Sequence, residues 1–346
     1  MRAIHTVEAH CGGPHCRIVF GGFGELDIPG ETMFAKKTYM EQHRDAFRRL
    51  MLSEPRSCPT TNVDLVLPSP DPRADIGVII MEQAPYYPAM SGGNLMCVVT
   101  VLLETGVLPM HEPETTLTVD TPAGLIAVRA ACRAGRVTNV TLANAPAFAT
   151  HLDEPLHVPG IGEIVVDIAY GGMFYVFAEA AAAGLQIIPD DAAELVRVGE
   201  IVKRAARERF DVAHPNNPAI NHLESLLWWG PQRHPENDGR NTVVISLDAG
   251  DGGAACGVLD RCPCGTGTSA RLAVLHAQGK LEVGKDFRHE GILDSVFTGR
   301  IIDTVDVDGT PAVISEITGQ AWITGYTEHI LHHDDPFQEG FVLRDF

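Results

Sequence analysis

Residues 260–271 read DRCPCGTGTSAR and residues 87–99 read YPAMSGGNLMCVV. Superposed at Cys264 and Ser91, they stay in register without a gap: CGTGTSARLAVLHAQGKL over SGGNLMCVVTVLLETGVL. Gly265 falls on Gly92, Val274-Leu275 on Val101-Leu102, Gly279 on Gly106 and Leu281 on Leu108. Each segment is a glycine turn followed by an apolar run of helical length that closes in glycine, where a helix C′ residue belongs. The two pivots lie 173 residues apart, half of the 346-residue chain. Self-similarity at that offset predicts a duplicated α/β unit. The competing reading is a pair of unrelated buried helices, each opened by glycine.

Length supports duplication, because 346 residues fill two domains of ordinary size. Hydrophobic residues make up 45% and charged residues 21%, the balance of a chain that folds throughout. A formal charge of −19 excludes nucleic acid and anionic membranes as partners. An anionic substrate therefore needs a local positive site. The N-terminus MRAIHTVEAHCGG lacks an apolar leader, and LMCVVTVLLETG is far shorter than the ~20 residues of a membrane span, so the expected location is the cytosol. Eight cysteines without regular spacing do not form a secreted disulfide framework, and most are expected to be reduced.

Strand-like stretches fill the first thirty residues. Thr38 and Glu41 have capping-box spacing, and Met40, Phe47, Leu50 and Met51 share one helical face ending before Pro55. Short β stretches from Thr116 to Ala147 place a domain boundary before Thr116. The expected domains are 1–115, joined by the C-terminal segment 325–346, and 116–324. IVVDIAYGGMFYVF reads as a buried strand with a tight glycine turn. Asp191 and Glu194 cap a helix whose apolar stripe is Leu195, Val198, Val202 and Ala206, with Lys203, Arg204, Arg207 and Glu208 on the solvated face. The stretch from His214 to Arg240, with Trp228 and Trp229, reads as a long loop with some embedded structure. The tryptophans fit a core or a subunit interface, and with the latter a homodimer.

The two glycine turns suggest a chemistry. The first turn of a helix leaves backbone N–H groups unpaired, and with the dipole they bind an anion without Lys or Arg. Two such turns facing across a domain cleft grip one carboxylate and place Ser91 and Cys264 on opposite sides of the bound molecule. That is the arrangement for inverting a stereocentre, one group taking the α-proton and the other delivering one. A thiol suits the task, because its pKa of about 8.5 falls at a helix N-terminus.

These residues resemble the proline racemase family over essentially the whole chain. HCGGPHCRIVFGG, EPR at Glu54–Arg56, MSGGN, VDIAYGGMF, DRCPCGTGTSAR and DDPFQEGF carry the resemblance. It implies an α/β (α+β) fold like that of diaminopimelate epimerase, with two pseudo-symmetric domains, each a sheet wrapped around a central helix. It also implies a two-base isomerase with no cofactor, no metal and an imino-acid substrate held between the domains. Cys264 falls on one catalytic cysteine, and Ser91 on the other, which the family usually keeps as cysteine. Asp260 matches the aspartate that contacts the substrate amine. Gly92, Gly93, Gly265 and Thr266 match the backbone carboxylate site, Asn94 belongs to the same substrate-binding turn, and Phe174 lies in a segment near it. Gly93 stands where the family commonly has histidine. A serine–cysteine pair resembles the subset that epimerises hydroxyproline at C2, trans-4-hydroxy-L-proline to cis-4-hydroxy-D-proline. Dehydration of trans-3-hydroxy-L-proline is the alternative, and a non-catalytic imino-acid binder is the third reading.

Other clusters have plainer explanations. His5, His10, Cys11, His15 and Cys16 lack zinc spacing. His332, His333, Asp334 and Asp335 precede Pro336 as a turn does. GTGTS lacks the Lys-Ser/Thr ending of a phosphate loop. Cys262 and Cys264 form C-x-C rather than a redox C-x-x-C, leaving Cys262 as a loop or packing residue.

Overall fold

The apolar runs of the sequence become strands, and the two glycine-led segments become helices. The computed structural model describes residues 2–21, 28–58, 60–82, 87–247 and 257–343. In chain order its elements are β1 (Arg2–His10), β2 (His15–Gly21), α1 (Met33–His43), α2 (Asp45–Leu52), β3 (Thr61–Leu67), β4 (Ile76–Met81), α3 (Gly92–Glu104), β5 (Glu114–Thr121), β6 (Gly124–Arg133) and β7 (Arg136–Ala143). There follow β8 (Phe148–Val158), β9 (Gly162–Tyr170), β10 (Phe174–Glu179), α4 (Ala192–Arg209), β11 (Leu223–Gly230), β12 (Gly239–Ser246), β13 (Gly257–Leu259), α5 (Gly265–Ala277), β14 (Asp286–Glu290), β15 (Val296–Val307), β16 (Thr310–Gly319) and β17 (Trp322–Leu331). They form two compact units, Met1–Leu142 with Gln320–Phe346, and Ala143–Gly319.

In the first unit β17 pairs antiparallel with β1, and β1 antiparallel with β2. Then β2 is parallel to β3, β3 antiparallel to β4, and β4 parallel to β5 over Ile76 and Gly77. The meander β5, β6, β7 ends the series. In the second unit β8, β9, β10, β11, β12, β14, β15 and β16 repeat it step for step. Even the short parallel step recurs, over Gly239 and Arg240 against β14. Helices α3 and α5, 13 residues each, occupy the same place in the two series. The final strand of each half serves the other unit: β8 follows β7 but pairs with β9, and β17 follows β16 but pairs with β1.

The boundary expected at Thr116 falls instead after Leu142. The change of pattern at Thr116 marks a meander rather than a new unit, because β5 hydrogen-bonds to β4. The returning segment starts at Gln320, ahead of the expected residue 325, so that it takes in all of β17.

Helix α3 packs on β1, β2, β3 and β17, and α5 on β8, β9, β15 and β16. Asn94 to Leu103 and Gly265 to Leu275 are buried without a break, which is why neither helix shows an amphipathic stripe. Helix α4 is amphipathic and packs on β11, β12 and β13, burying Leu195, Val198, Val202 and Ala206. Adjacent residues of β11 point to opposite faces. Trp228 therefore goes to the α4 side, its indole N–H donating to the Leu195 carbonyl at 2.9 Å, while Trp229 lies under the Arg271 guanidinium at 4.5 Å. The region read as loop thus contains a core strand.

Three local expectations change. Thr32 rather than Thr38 caps α1, its Oγ1 accepting the Ala35 N–H at 3.1 Å; Thr38 sits inside the helix and donates to the Phe34 carbonyl. Asp191 stands at the α4 N-cap, but its carboxylate accepts the Gln186 N–H at 2.8 Å. Lys203 is fully buried, not solvated, with its ammonium donating to Glu200 at 2.9 Å and also to Ser246. Among the described residues seven cysteines are free thiols, and Cys256 lies outside them. No helix in the described residues is long and apolar enough to cross a membrane.

Candidate active site

The second unit builds its site where the β9–β10 hairpin meets the first turn of α5. Gly171 and Gly172 close the hairpin. A Cβ on Gly171 would sit 2.3 Å from the Thr266 carbonyl oxygen and 2.6 Å from the Ala270 nitrogen. Gly172 has φ +120°, and its Cβ would lie 2.9 Å from the Thr266 methyl. Only a side-chain-free turn permits this approach, which ties the YGGMF motif to the CGTGT motif physically. The Asn144 amide donates to the Gly171 carbonyl at 3.2 Å, and the Glu224 carboxylate accepts the Phe174 N–H at 3.0 Å.

Cys264 is the N-cap of α5 with φ +61°, a left-handed conformation that disfavours any side chain. Its sulfur accepts the Gly267 N–H at 3.3 Å, doing what a Ser or Asp oxygen usually does at this position. The Tyr175 hydroxyl lies 3.5 Å from the same sulfur and 2.6 Å from the Thr266 hydroxyl. Cys262 has a structural task, its sulfur accepting the Cys264 N–H at 3.4 Å. The Asp260 carboxylate accepts the Cys262 N–H at 3.0 Å.

The helix terminus was expected to lower the thiol pKa. It is pushed up to about 12, first by burial and then by the nearby Asp260 charge; the bonds from Tyr175, Gly267 and Thr266 oppose the rise. Burial likewise raises Asp260, against the bonds of the Cys262 N–H and thiol.

Phe174, expected near the substrate, is fully buried on the α4 side with Phe148 and Tyr170, at ring distances of 6.1 and 5.1 Å. Strand alternation sends its neighbour Tyr175 to the Cys264 side instead. The sequence signal for Tyr175 was present, since the residue after Phe174 must face the other way.

In the first unit Ser91 is the N-cap of α3 with φ −144°, an extended conformation, and its side chain makes no capping bond. Gly92 is buried and Gly93 half-buried. Asn94 is buried with its Oδ1 accepting from the Cys16 thiol at 3.2 Å and from the Asn62 amide at 3.1 Å. Its side chain anchors the turn to β2 and β3. The other histidines and cysteines of the first strands go separate ways: His15 bonds Glu8 and Thr61, Cys11 lies on Met96, and His10 stacks on Trp322. The EPR and DDPFQEGF motifs meet: Arg56 donates to the Asp335 carboxylate, and Glu54 and Phe341 exchange backbone bonds at 2.8 and 3.0 Å.

Two copies of one strand series, each with a buried helix opened by a proton-bearing side chain, match a known group of enzymes. A hydroxyproline epimerase from Agrobacterium vitis, solved with trans-4-hydroxy-L-proline, superposes with TM-score 0.87 at 35% identity, over 100% of this chain and 98% of that one. A probable proline racemase from Agrobacterium radiobacter K84, solved with carbonate, gives 0.88 at 36% identity, covering 99% and 97%. A phenazine-biosynthesis protein of the PhzF family from Bacillus anthracis shares the fold at TM-score 0.61 and 14% identity, with coverage of 96% and 100%. The protein is thus an isomerase of the racemase and epimerase class. An uncharacterized Bacillus anthracis protein is 38% identical over 343 residues, 99% of this chain and 95% of the relative. The family model for proline racemase matches residues 6–342, and the chain belongs to that family.

Proposed function

We propose that the protein epimerises a hydroxyproline at Cα without a cofactor, with Cys264 and Ser91 acting on opposite faces of the carbon. The observation that carries this reading is the environment of Cys264, a thiol at a helix N-terminus whose sulfur accepts the Gly267 N–H and lies within reach of the Tyr175 hydroxyl. Its likeness to an epimerase solved with trans-4-hydroxy-L-proline supports the substrate class. The substrate carboxylate takes the free N–H groups of the turns at Gly92–Gly93 and Gly265–Thr266. Its ammonium takes Asp260. That pairing has a second effect: a cation beside Asp260 offsets the charge that helps hold the thiol near 12, so substrate helps to generate its own base.

Ser91 is a weaker acid than a thiol and delivers a proton, directly or through water. Because its hydroxyl makes no capping bond, one-base chemistry is the second reading. A leaving group at Cβ would then be expelled from the same carbanion, dehydrating trans-3-hydroxy-L-proline. Proton NMR of the reduced protein in D₂O separates the two. Loss of the Cα proton with growth of C2-epimer signals from trans-4-hydroxy-L-proline supports the first. An imine product from the 3-hydroxy compound supports the second, and no exchange with either refutes both.

The pKa carries a sign. With the thiol raised, its base form is scarce at neutral pH, so kcat/KM is expected to climb as pH goes from 6 to 9. Asp260→Asn is expected to act in opposite directions on two measurements. Alkylation of Cys264 by iodoacetamide accelerates, because a repelling charge is gone, while epimerisation falls by about 10–100-fold, because the ammonium loses a charged partner.

A further inference from the structure

We propose that Tyr175 is a positioning residue that makes Cys264 usable as a base, by turning its hydroxyl from Thr266 to the sulfur when the thiol loses its proton. The inference rests on the reading of Cys264 as a proton-transfer group and extends it to a residue in another strand.

The geometry allows two hydrogen-bond states. Tyr175 is 1% exposed on β10, and its oxygen lies 2.6 Å from Thr266 Oγ1 and 3.5 Å from Cys264 Sγ. With the thiol protonated, the phenol donates to Thr266. With a thiolate present, the phenol donates to sulfur and Thr266 donates to the phenol. Two O–H bonds rotate and no heavy atom moves. The proton lost by sulfur goes to solvent or to the substrate carbanion, and the thiolate takes the Cα proton back, so neither hydroxyl ionises.

The surroundings make this donor matter. Asp260, with Arg261 beside it, reaches the sulfur from the loop after β13, where Cys262 bonds the Cys264 backbone N–H instead, and Tyr175 is the titratable group reaching the sulfur from β10. The neighbouring strands β9, β11 and β12 offer Ala169, Leu227 and Val243, which solvate no charge. The thiolate thus depends on the Gly267 N–H and the two hydroxyls. In the first unit the matching residue, second in β2 as Tyr175 is second in β10, is Cys16, and it bonds Asn94. The repeated fold thus supplies a hydroxyl relay on the cysteine side and a structural thiol on the serine side.

The test is Tyr175→Phe in the full reduced chain, which keeps the ring and deletes the hydroxyl. The rate of Cys264 alkylation by iodoacetamide, read by peptide mass spectrometry, is expected to fall about tenfold at every pH from 7 to 9. The kcat is expected to fall comparably with KM little changed. A packing role predicts the opposite, because a loosened core leaves the rate unchanged or raises it, and either result overturns the proposal. Thr266→Val, which removes the second hydroxyl, is expected to slow alkylation by a smaller factor and decides the question if the tyrosine variant does not fold. Unchanged or faster alkylation in Thr266→Val then overturns the relay. Alkylation needs no turnover, so the two readings fail separately. Slower alkylation in Tyr175→Phe alongside a fully active Cys264→Ala would refute the catalytic reading and keep the relay.

Discussion

Cys264→Ala is expected to lower kcat/KM for epimerisation by about 10²–10⁴-fold, the usual worth of a positioned acid or base. The substitution is small and the sulfur caps a single N–H, at Gly267, so the lost cap costs only about 1 kcal/mol and the fold should persist. The comparison with Ser91→Ala is informative. Cys264 has the Gly267 N–H donating to its sulfur and two hydroxyls within reach of it, whereas the Ser91 hydroxyl makes no capping bond. In D₂O the serine variant should therefore retain more exchange of the Cα proton in the direction where cysteine is the base. If Cys264→Ala were as active as the parent, the site would have to be sought elsewhere.

Gly171→Ala is expected to be severe in another way. Its Cβ would stand 2.3 Å from a carbonyl oxygen and 2.6 Å from an amide nitrogen of α5, both backbone atoms that no rotamer change can clear. The hairpin must lift off the helix, taking Tyr175 away from Cys264. A loss of about 3 kcal/mol or more is expected, measured by urea unfolding, with activity falling beyond what stability explains. Gly309→Ala is the control. It has φ +83° but open space around its Cβ, so it should cost about 1 kcal/mol of backbone strain and leave activity alone. Equal losses at the two sites would mean that the close approach at Gly171 is unimportant.

Much of this was legible in the sequence because glycine requirements and apolar runs are local. The match of Ser91 with Cys264 disclosed the duplication. The turn at Gly171–Gly172 and the stripe of α4 were also readable. What escaped depends on which neighbour a residue meets. Lys203 looked like a surface lysine until Glu200 and Ser246 were found beside it. Phe174 was singled out because an aromatic beside a glycine turn is visible in a sequence; that its neighbour Tyr175 faces Cys264 depends on strand phase, which is not visible until the hairpin register is known. The thiol pKa was misjudged because a helix terminus is local, while burial and Asp260 depend on the folded surroundings. The boundary at Thr116 failed because a two-residue parallel contact leaves no trace in composition.

The exchange of final strands makes the two units unequal in time. The second unit is closed by the hairpin of β8 and β9, neighbours in the chain, and can complete its sheet as it is synthesised. In the first unit β1 precedes the other described strands of that unit, yet one of its partners is the strand from Trp322 to Leu331, which follows all of the second unit. Paired with β2 on one side, β1 must wait for its other neighbour until the strands of the second unit have been made. A truncation that removes Gln320 onward would therefore open the unit that carries Ser91 and leave the strands of the one that carries Cys264 in place.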